Sequence, residues 1–293
     1  MILTVSKYAG LCPGTHNACS TVEKLIEAND GSTVVLTIGH LMHNRLYNES
    51  LAARGVRCIT VDKLEDIIIS EAGKNIFVVI RTHGIPKGEE NYMRLLAQKY
   101  PQLHIIDATC PSVKRIHKIA EENTGDNTVF VLFGSIEHPE VQGIISYAKG
   151  EKYVISSLEE AQSLKFGDKI PILCSQTTQN LLEFIKIKNF LKKVCTNALF
   201  FDTICNVTEK RQKDVLELAK SSDAMIVIGG YESSNTRNLY DLCLGACPRT
   251  VWIESVDDLT VDFFDGVKKV GITAGASTPD GIILEVLKNY GKL

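Results

Sequence analysis

The sequence predicts an α/β fold made of three similar units, each built on a mainly parallel sheet. Three observations carry that reading. Short β-branched runs alternate with helical patterns along all 293 residues, the pattern of parallel strands joined by crossover helices. The runs are almost continuously apolar, as strands covered by helices on both faces must be, because neither face meets water. Loops recur at matching distances behind three cysteines, so the chain repeats itself.

Strands are expected at 33–38, 75–80, 129–133, 170–174, 224–228 and 270–273, with a short strand-like segment, Met1-Ile2-Leu3-Thr4-Val5, opening the chain. Each is followed by polar or small residues. Cys12 to His43 spans 31 residues, Cys110 to His138 spans 28 and Cys205 to Ser233 spans 28. For a second set of loops, Cys12 to His83 spans 71, Cys110 to Thr177 spans 67 and Cys205 to Ser277 spans 72. Leu103-His104-Ile105-Ile106-Asp107-Ala108-Thr109-Cys110 parallels Leu199-Phe200-Phe201-Asp202-Thr203-Ile204-Cys205: an apolar strand, an acid, a cysteine, then a helical pattern. The first third matches less closely, running through Ser6 to Leu11 into Cys12. Units are expected at 13–109, 110–204 and 205–281, with 1–12 and 282–293 as terminal segments packing on the core; no low-complexity linker separates them. Ligands of open α/β sheets collect at the carboxyl ends of the strands, so three units about one axis would aim three cysteines and six loops at one cavity.

The net charge of -3 provides no basic field, which speaks against nucleic acid and membrane surfaces as partners. No apolar run is long enough to span a bilayer and the first residues lack a signal-peptide core, so a cytoplasmic monomer is expected. Nine cysteines, an odd number, read as thiols or metal ligands rather than a disulfide framework.

A cysteine at a helix start has a lowered thiol pKa, because the helix N-terminus favours the anion. Three convergent thiolates suit a cubane iron–sulfur cluster with one iron lacking a protein ligand, and such an iron is a Lewis acid. Any single cysteine is more often a core residue, but chance does not place one at the same point of three units. Cys12, Cys110 and Cys205 are therefore the candidate metal ligands. Cys19, Cys58, Cys174, Cys195, Cys243 and Cys247 read as structural; Cys243 and Cys247 share a helix face but have no nearby partner to finish a metal site.

His43, His83 and His138 lie in the recurring loops and can each donate to a phosphate oxygen. The third unit offers Ser233-Ser234-Asn235 and Ser277 instead, small residues at helix starts whose free backbone amides make an anion site. Plain helix capping uses the same geometry, so both readings stand. Glu140, two residues after His138, is the candidate general acid, because desolvation in a cavity raises a carboxyl pKa. Thr177 in Ser175-Gln176-Thr177-Thr178 accompanies it.

His43-Asn44, Thr82-His83-Gly84, Asp107-Ala108-Thr109-Cys110-Pro111, His138-Pro139-Glu140-Val141-Gln142-Gly143, Ser175-Gln176-Thr177-Thr178, Ile204-Cys205 with Thr208 and Arg211-Gln212, Ser233-Ser234-Asn235 and Ala274-Gly275-Ala276-Ser277 together resemble the 4-hydroxy-3-methylbut-2-enyl diphosphate reductase family of the non-mevalonate isoprenoid pathway. The resemblance implies a pseudo-threefold trefoil around one [4Fe–4S] cluster per chain, held by Cys12, Cys110 and Cys205. It implies a diphosphate among His43, His83, His138, Ser233, Ser234, Asn235 and Ser277, and a proton from Glu140 aided by Thr177. The implied products are isopentenyl and dimethylallyl diphosphate. No flavin or nicotinamide fingerprint is present, so an external electron donor such as ferredoxin or flavodoxin is implied. The chain departs from the family after Cys12, where Gly-Val-x-Arg-Ala is usual and Gly14-Thr15-His16-Asn17-Ala18 stands here. A paralogue acting as a cluster-dependent hydratase or dehydratase, or as a metabolite or redox sensor, is the alternative.

Overall fold

The computed structural model describes residues 1–29 and 31–291; residues 292 and 293, the end of the expected terminal segment 282–293, lie outside the described residues. The chain opens with β1 (Ile2–Val5) and α1 (Pro13–Glu27). A first sheet follows from β2 (Thr33–Ile38), β3 (Arg57–Ile59), β4 (Asn75–Ile80) and β5 (Leu103–Asp107), whose crossovers contain α2 (Arg45–Ala53), α3 (Leu64–Ser70) and α4 (Lys87–Lys99). After α5 (Pro111–Asn123) come β6 (Thr128–Phe133), α6 (Pro139–Tyr147), β7 (Glu151–Ile155), α7 (Leu158–Ser163), β8 (Ile170–Ser175), α8 (Leu181–Val194) and β9 (Leu199–Phe200). The last part holds α9 (Asn206–Lys220), β10 (Ala224–Ile228), α10 (Ser234–Ala246), β11 (Thr250–Ile253), β12 (Lys269–Ala274) and α11 (Asp280–Tyr290).

Three four-stranded sheets result, in the orders β3-β2-β4-β5, β7-β6-β8-β9 and β11-β10-β12-β1, and every pairing is parallel. The three orders are one pattern. In the third sheet its fourth place is filled by the strand that starts the chain, Ile2 pairing with Lys269. Cys110 follows β5, Cys205 follows β9 and Cys12 follows β1, so each stands behind the fourth strand of a sheet.

Two compact units carry these sheets. One comprises Met1–Thr15, Met42–Tyr47 and the described residues from Cys205, and holds the third sheet; the other comprises His16–Leu41 and Asn48–Ile204, and holds the first two. The sheets are apolar on both faces because both are covered. Phe130, Leu132, Ile172 and Cys174 pack on Ile116 and Ala120 of α5 and Val141 and Ile144 of α6, while Val129, Val131, Phe133 and Leu173 meet Phe184, Ile187 and Leu191 of α8. In the third sheet Ile226, Ile228 and Ile272 face Ile283 and Val286 of α11, and Met225 and Val227 face Val215 of α9 with Leu239 and Cys243 of α10.

Strands expected at 129–133, 170–174 and 270–273 extend a residue or two further. The strands β3, β7 and β11, which the sequence reading did not name, have residues outside the core and so lack the continuous apolar signature. Of the six cysteines read as structural, Cys19, Cys174, Cys243 and Cys247 are buried, Cys195 is half-buried, and Cys58 is exposed on β3, beside β2. Among the described residues no helix is long and apolar enough to cross a membrane.

Candidate functional site

Three cysteines stand one residue before a helix: Cys12 before α1, Cys110 before α5 and Cys205 before α9. Cys110 and Cys205 are N-cap residues with extended backbone, the arrangement that turns an edge strand sharply into a helix. All three are partly exposed, whereas Cys174 and Cys243 are buried, and burial pushes the Cys243 thiol up to about 12. A thiol kept neutral by burial is a poor ligand, which sets Cys174 and Cys243 apart from the three at the helix starts.

In the unit around the third sheet, the Cys12 amide donates to the carbonyl of Ala276 (3.1 Å), which sets Cys12 beside Ser277. The Cys12 sulfur accepts from the Thr15 amide (3.4 Å) and lies 3.2 Å from the Thr15 hydroxyl. Ser233 caps α10, its Oγ accepting from the Thr236 amide at 3.3 Å, and Ser234 is the first helical residue. Asn235 is buried, and its Nδ2 has no hydrogen-bond partner among the described residues. Thr236 lies between the loops after β10 and β12: a Cβ on Gly275 would sit 2.1 Å from its Oγ1, and one on Gly229 2.6 Å. His43 Nδ1 donates to the carbonyl of Glu232 (2.7 Å), tying its loop to the one that carries Ser233. This unit therefore brings together Cys12 with Ser277, and His43 with Ser233, Ser234 and Asn235.

In the unit of the first two sheets, the Cys110 amide donates to the carbonyl of Thr82 (3.0 Å), setting it beside His83, just as Cys12 is set beside Ser277. Asp107 accepts from the Thr109 amide (2.9 Å) and shapes the turn into Cys110. The rings of His83 and His138 meet edge to face, with centroids 5.3 Å apart. His138 is the N-cap of α6, and its Nδ1 accepts from the Glu140 amide at 3.1 Å. That bond leaves the proton of the neutral ring on Nε2, so His138 can donate without being charged.

Glu140 is 1 % exposed and accepts twice from Thr177, from the amide (2.6 Å) and from the hydroxyl (2.8 Å). Burial pushes its carboxyl up to about 7, against the two Thr177 bonds that favour the anion. The loop behind it is braced by Gln176, whose Oε1 accepts from the Ser135 amide and whose Nε2 donates to Thr178. Below lies His117, stacked on Tyr147 at 4.2 Å and held neutral, its pKa pushed down to about 4 by burial. Gly84 has a left-handed φ of +73°, and a Cβ there would lie 2.8 Å from the His117 ring.

The sequence reading assigned no role to Thr15, Gln176, His117 or Arg211. Thr15 could have been suspected from its spacing behind Cys12, and Gln176 and Arg211 stand in motifs of the family resemblance; His117 gives no local signal, because a polar residue on a helix reads as solvated until tertiary contacts bury it.

Residues 3–290 match the family model described as LytB protein. A protein of a Nitratiruptor species named 4-hydroxy-3-methylbut-2-enyl diphosphate reductase is 37% identical over 279 residues, 95% of this chain and 97% of the relative. One of that name from Helicobacter pylori (strain Shi470) is 39% identical over 98% of this chain and 97% of its own length. A solved structure described as (E)-4-hydroxy-3-methyl-but-2-enyl diphosphate reductase, the terminal enzyme of the non-mevalonate pathway, superposes with a TM-score of 0.66 at 34% identity over 100% of both chains. The structure of E-1-hydroxy-2-methyl-but-2-enyl-4-diphosphate reductase from Plasmodium falciparum does so with a TM-score of 0.86 at 25% identity, over 98% of this chain and 87% of that one.

Proposed function

Because the chain belongs to the LytB protein family, we propose that it reductively dehydroxylates 4-hydroxy-3-methylbut-2-enyl diphosphate, yielding isopentenyl and dimethylallyl diphosphate. The overall change takes up two electrons and two protons, breaks one C–O bond and releases water. The observation that carries the reading is Glu140, a wholly buried carboxyl held by Thr177 with its pKa raised to about 7, so that a proton is available near neutral pH.

The residues fit a [4Fe–4S] cluster. Three partly exposed thiols at helix starts are a ligand set of the right chemistry, and three rather than four leave one iron without a protein ligand. In this reading Cys12, Cys110 and Cys205 hold it. When bound, it supplies a Lewis-acidic iron and a path for electrons from an external carrier such as ferredoxin or flavodoxin.

The remaining residues handle the anion and the proton. Asn235 has a buried amide N–H without an acceptor among the described residues, and a diphosphate oxygen would satisfy it. His138 donates from Nε2 as a neutral ring. His43, whose Nδ1 already donates to Glu232, reaches a phosphate oxygen as a donor only when protonated, which adds a positive charge beside the anion. His83, Ser233, Ser234 and Ser277 complete the diphosphate site. Glu140 protonates the departing hydroxyl, and Thr177 fixes the carboxyl in place.

Glu140→Gln preserves shape and removes the proton. Substrate is expected still to bind, while anaerobic turnover with an artificial reductant falls by about two to four orders of magnitude, the usual contribution of a positioned general acid. Turnover near the wild-type rate would take this role from Glu140.

A further inference from the structure

We propose that Arg211 is the fixed counter-charge of the iron–sulfur site, a positioning residue that raises the reduction potential of the cluster from inside the core. The inference rests on the cluster reading above, and deepens it.

Arg211 lies on α9, six residues after Cys205, and is 2 % exposed. Burying a guanidinium is costly unless an anion and hydrogen bonds compensate it. Its hydrogen bonds go to two neutral carbonyls: Nη1 donates to Ala274 (2.6 Å) and Nη2 to Gly10 (2.8 Å), while Nε is buried without a partner among the described residues. No carboxylate pairs with it among the described residues. The groups that oppose the effect of its desolvation are Cys12 and Cys205 in the thiolate form that a metal ligand takes, while burial pushes its pKa down to about 10.

The placement is mechanical as well as electrical. Gly10 lies two residues before Cys12, and Ala274 ends β12 two residues before Ala276, whose carbonyl holds the Cys12 amide. One planar fork thus ties the turn into Cys12 to the end of the strand beside it, from the helix that starts at Cys205. A core charge of +2 with three thiolates carries a net charge of about -1, which becomes about -2 on one-electron reduction. A nearby buried cation stabilises the more negative state more strongly, so it favours reduction.

The test is an anaerobic redox titration of the cluster in the reconstituted full-length chain, wild type against Arg211→Lys, Arg211→Gln and Arg211→Met. Iron and sulfide content and the circular dichroism of each cluster-free chain accompany it. Gln and Met remove the charge, and Met is included because an apolar replacement of a buried ion often leaves a fold stable. Both are expected to lower the midpoint, with Lys staying near wild type; loss of cluster from Gln and Met but not from Lys supports the same role. Folded, loaded Gln and Met variants with an unchanged midpoint overturn it, as does an equal shift in all three. Failure of both neutral variants to fold without cluster makes Arg211 a framework residue and also overturns it. A wild-type chain that takes up no iron and sulfide overturns the cluster reading and this one together, whereas an unchanged midpoint in loaded variants overturns only the role of Arg211.

Discussion

The role proposed for Glu140 carries a cost to stability. Its folded pKa is raised to about 7, so the folded chain keeps a proton that the unfolded chain releases at the ordinary carboxyl value of 4.5. Stability therefore declines as pH rises across that window, by about 3 kcal/mol once the carboxyl is fully ionised. Glu140→Gln removes this slope, so the melting temperature of the cluster-free variant should gain on wild type between pH 5 and pH 8, measured by thermal circular dichroism. A constant difference would mean that Glu140 titrates normally. The cysteines allow a sharper contrast: Cys12→Ser, Cys110→Ser or Cys205→Ser is expected to abolish or cripple iron and sulfide loading, while Cys58→Ser, exposed on β3, leaves both unchanged. Full metal content in any of the first three would remove that residue from the ligand set.

Among the elements, the start of α10 carries a cap that the proposed reading also assigns to the diphosphate site. Ser233 caps the helix, and Ser233→Ala is expected to cost about 1 kcal/mol of stability while weakening affinity for the diphosphate. Chemical denaturation and substrate titration read the two losses separately. The loops after β10 and β12 are spaced by Thr236, against which Gly229 and Gly275 leave no room for a Cβ. Gly275→Ala should therefore destabilise the chain, and adding Thr236→Ala should recover part of the loss, because the Oγ1 in the way is gone. Strict additivity in a double-mutant cycle would show that the loops are not in contact through Thr236.

For the whole molecule, the consequence of the repeat is that the chain's first strand completes its last sheet. β1 pairs with β12 and feeds the turn into Cys12, so truncating residues 1–5 removes one edge strand of four and unmoors a candidate ligand at once. The truncated chain is expected to melt at lower temperature and to aggregate through the bared edge of β12, read by light scattering during a thermal ramp. Behaviour like wild type would make β1 dispensable to its sheet.

The sequence by itself determined the α/β class, the six inner strands and the threefold spacing of cysteines and loops. These are properties of composition and period, since strands covered on both faces must be continuously apolar and repeated units must repeat their loops. It also named Glu140 and Thr177, whose neighbours in sequence are distinctive. Only the tertiary structure decided that β1 belongs to the third sheet, that β3, β7 and β11 pair at all, that Cys58 faces solvent and that Arg211 is buried. Each of these depends on what lies across the fold: the Ile2 amide donates to the Lys268 carbonyl, a backbone bond that no side chain announces, and the environment of Arg211 comes from Gly10 and Ala274, which are distant from it in the chain. A polar side chain on a helix has the same local sequence whether water or a buried anion is its partner, so desolvation, the quantity that sets its chemistry, is fixed by packing.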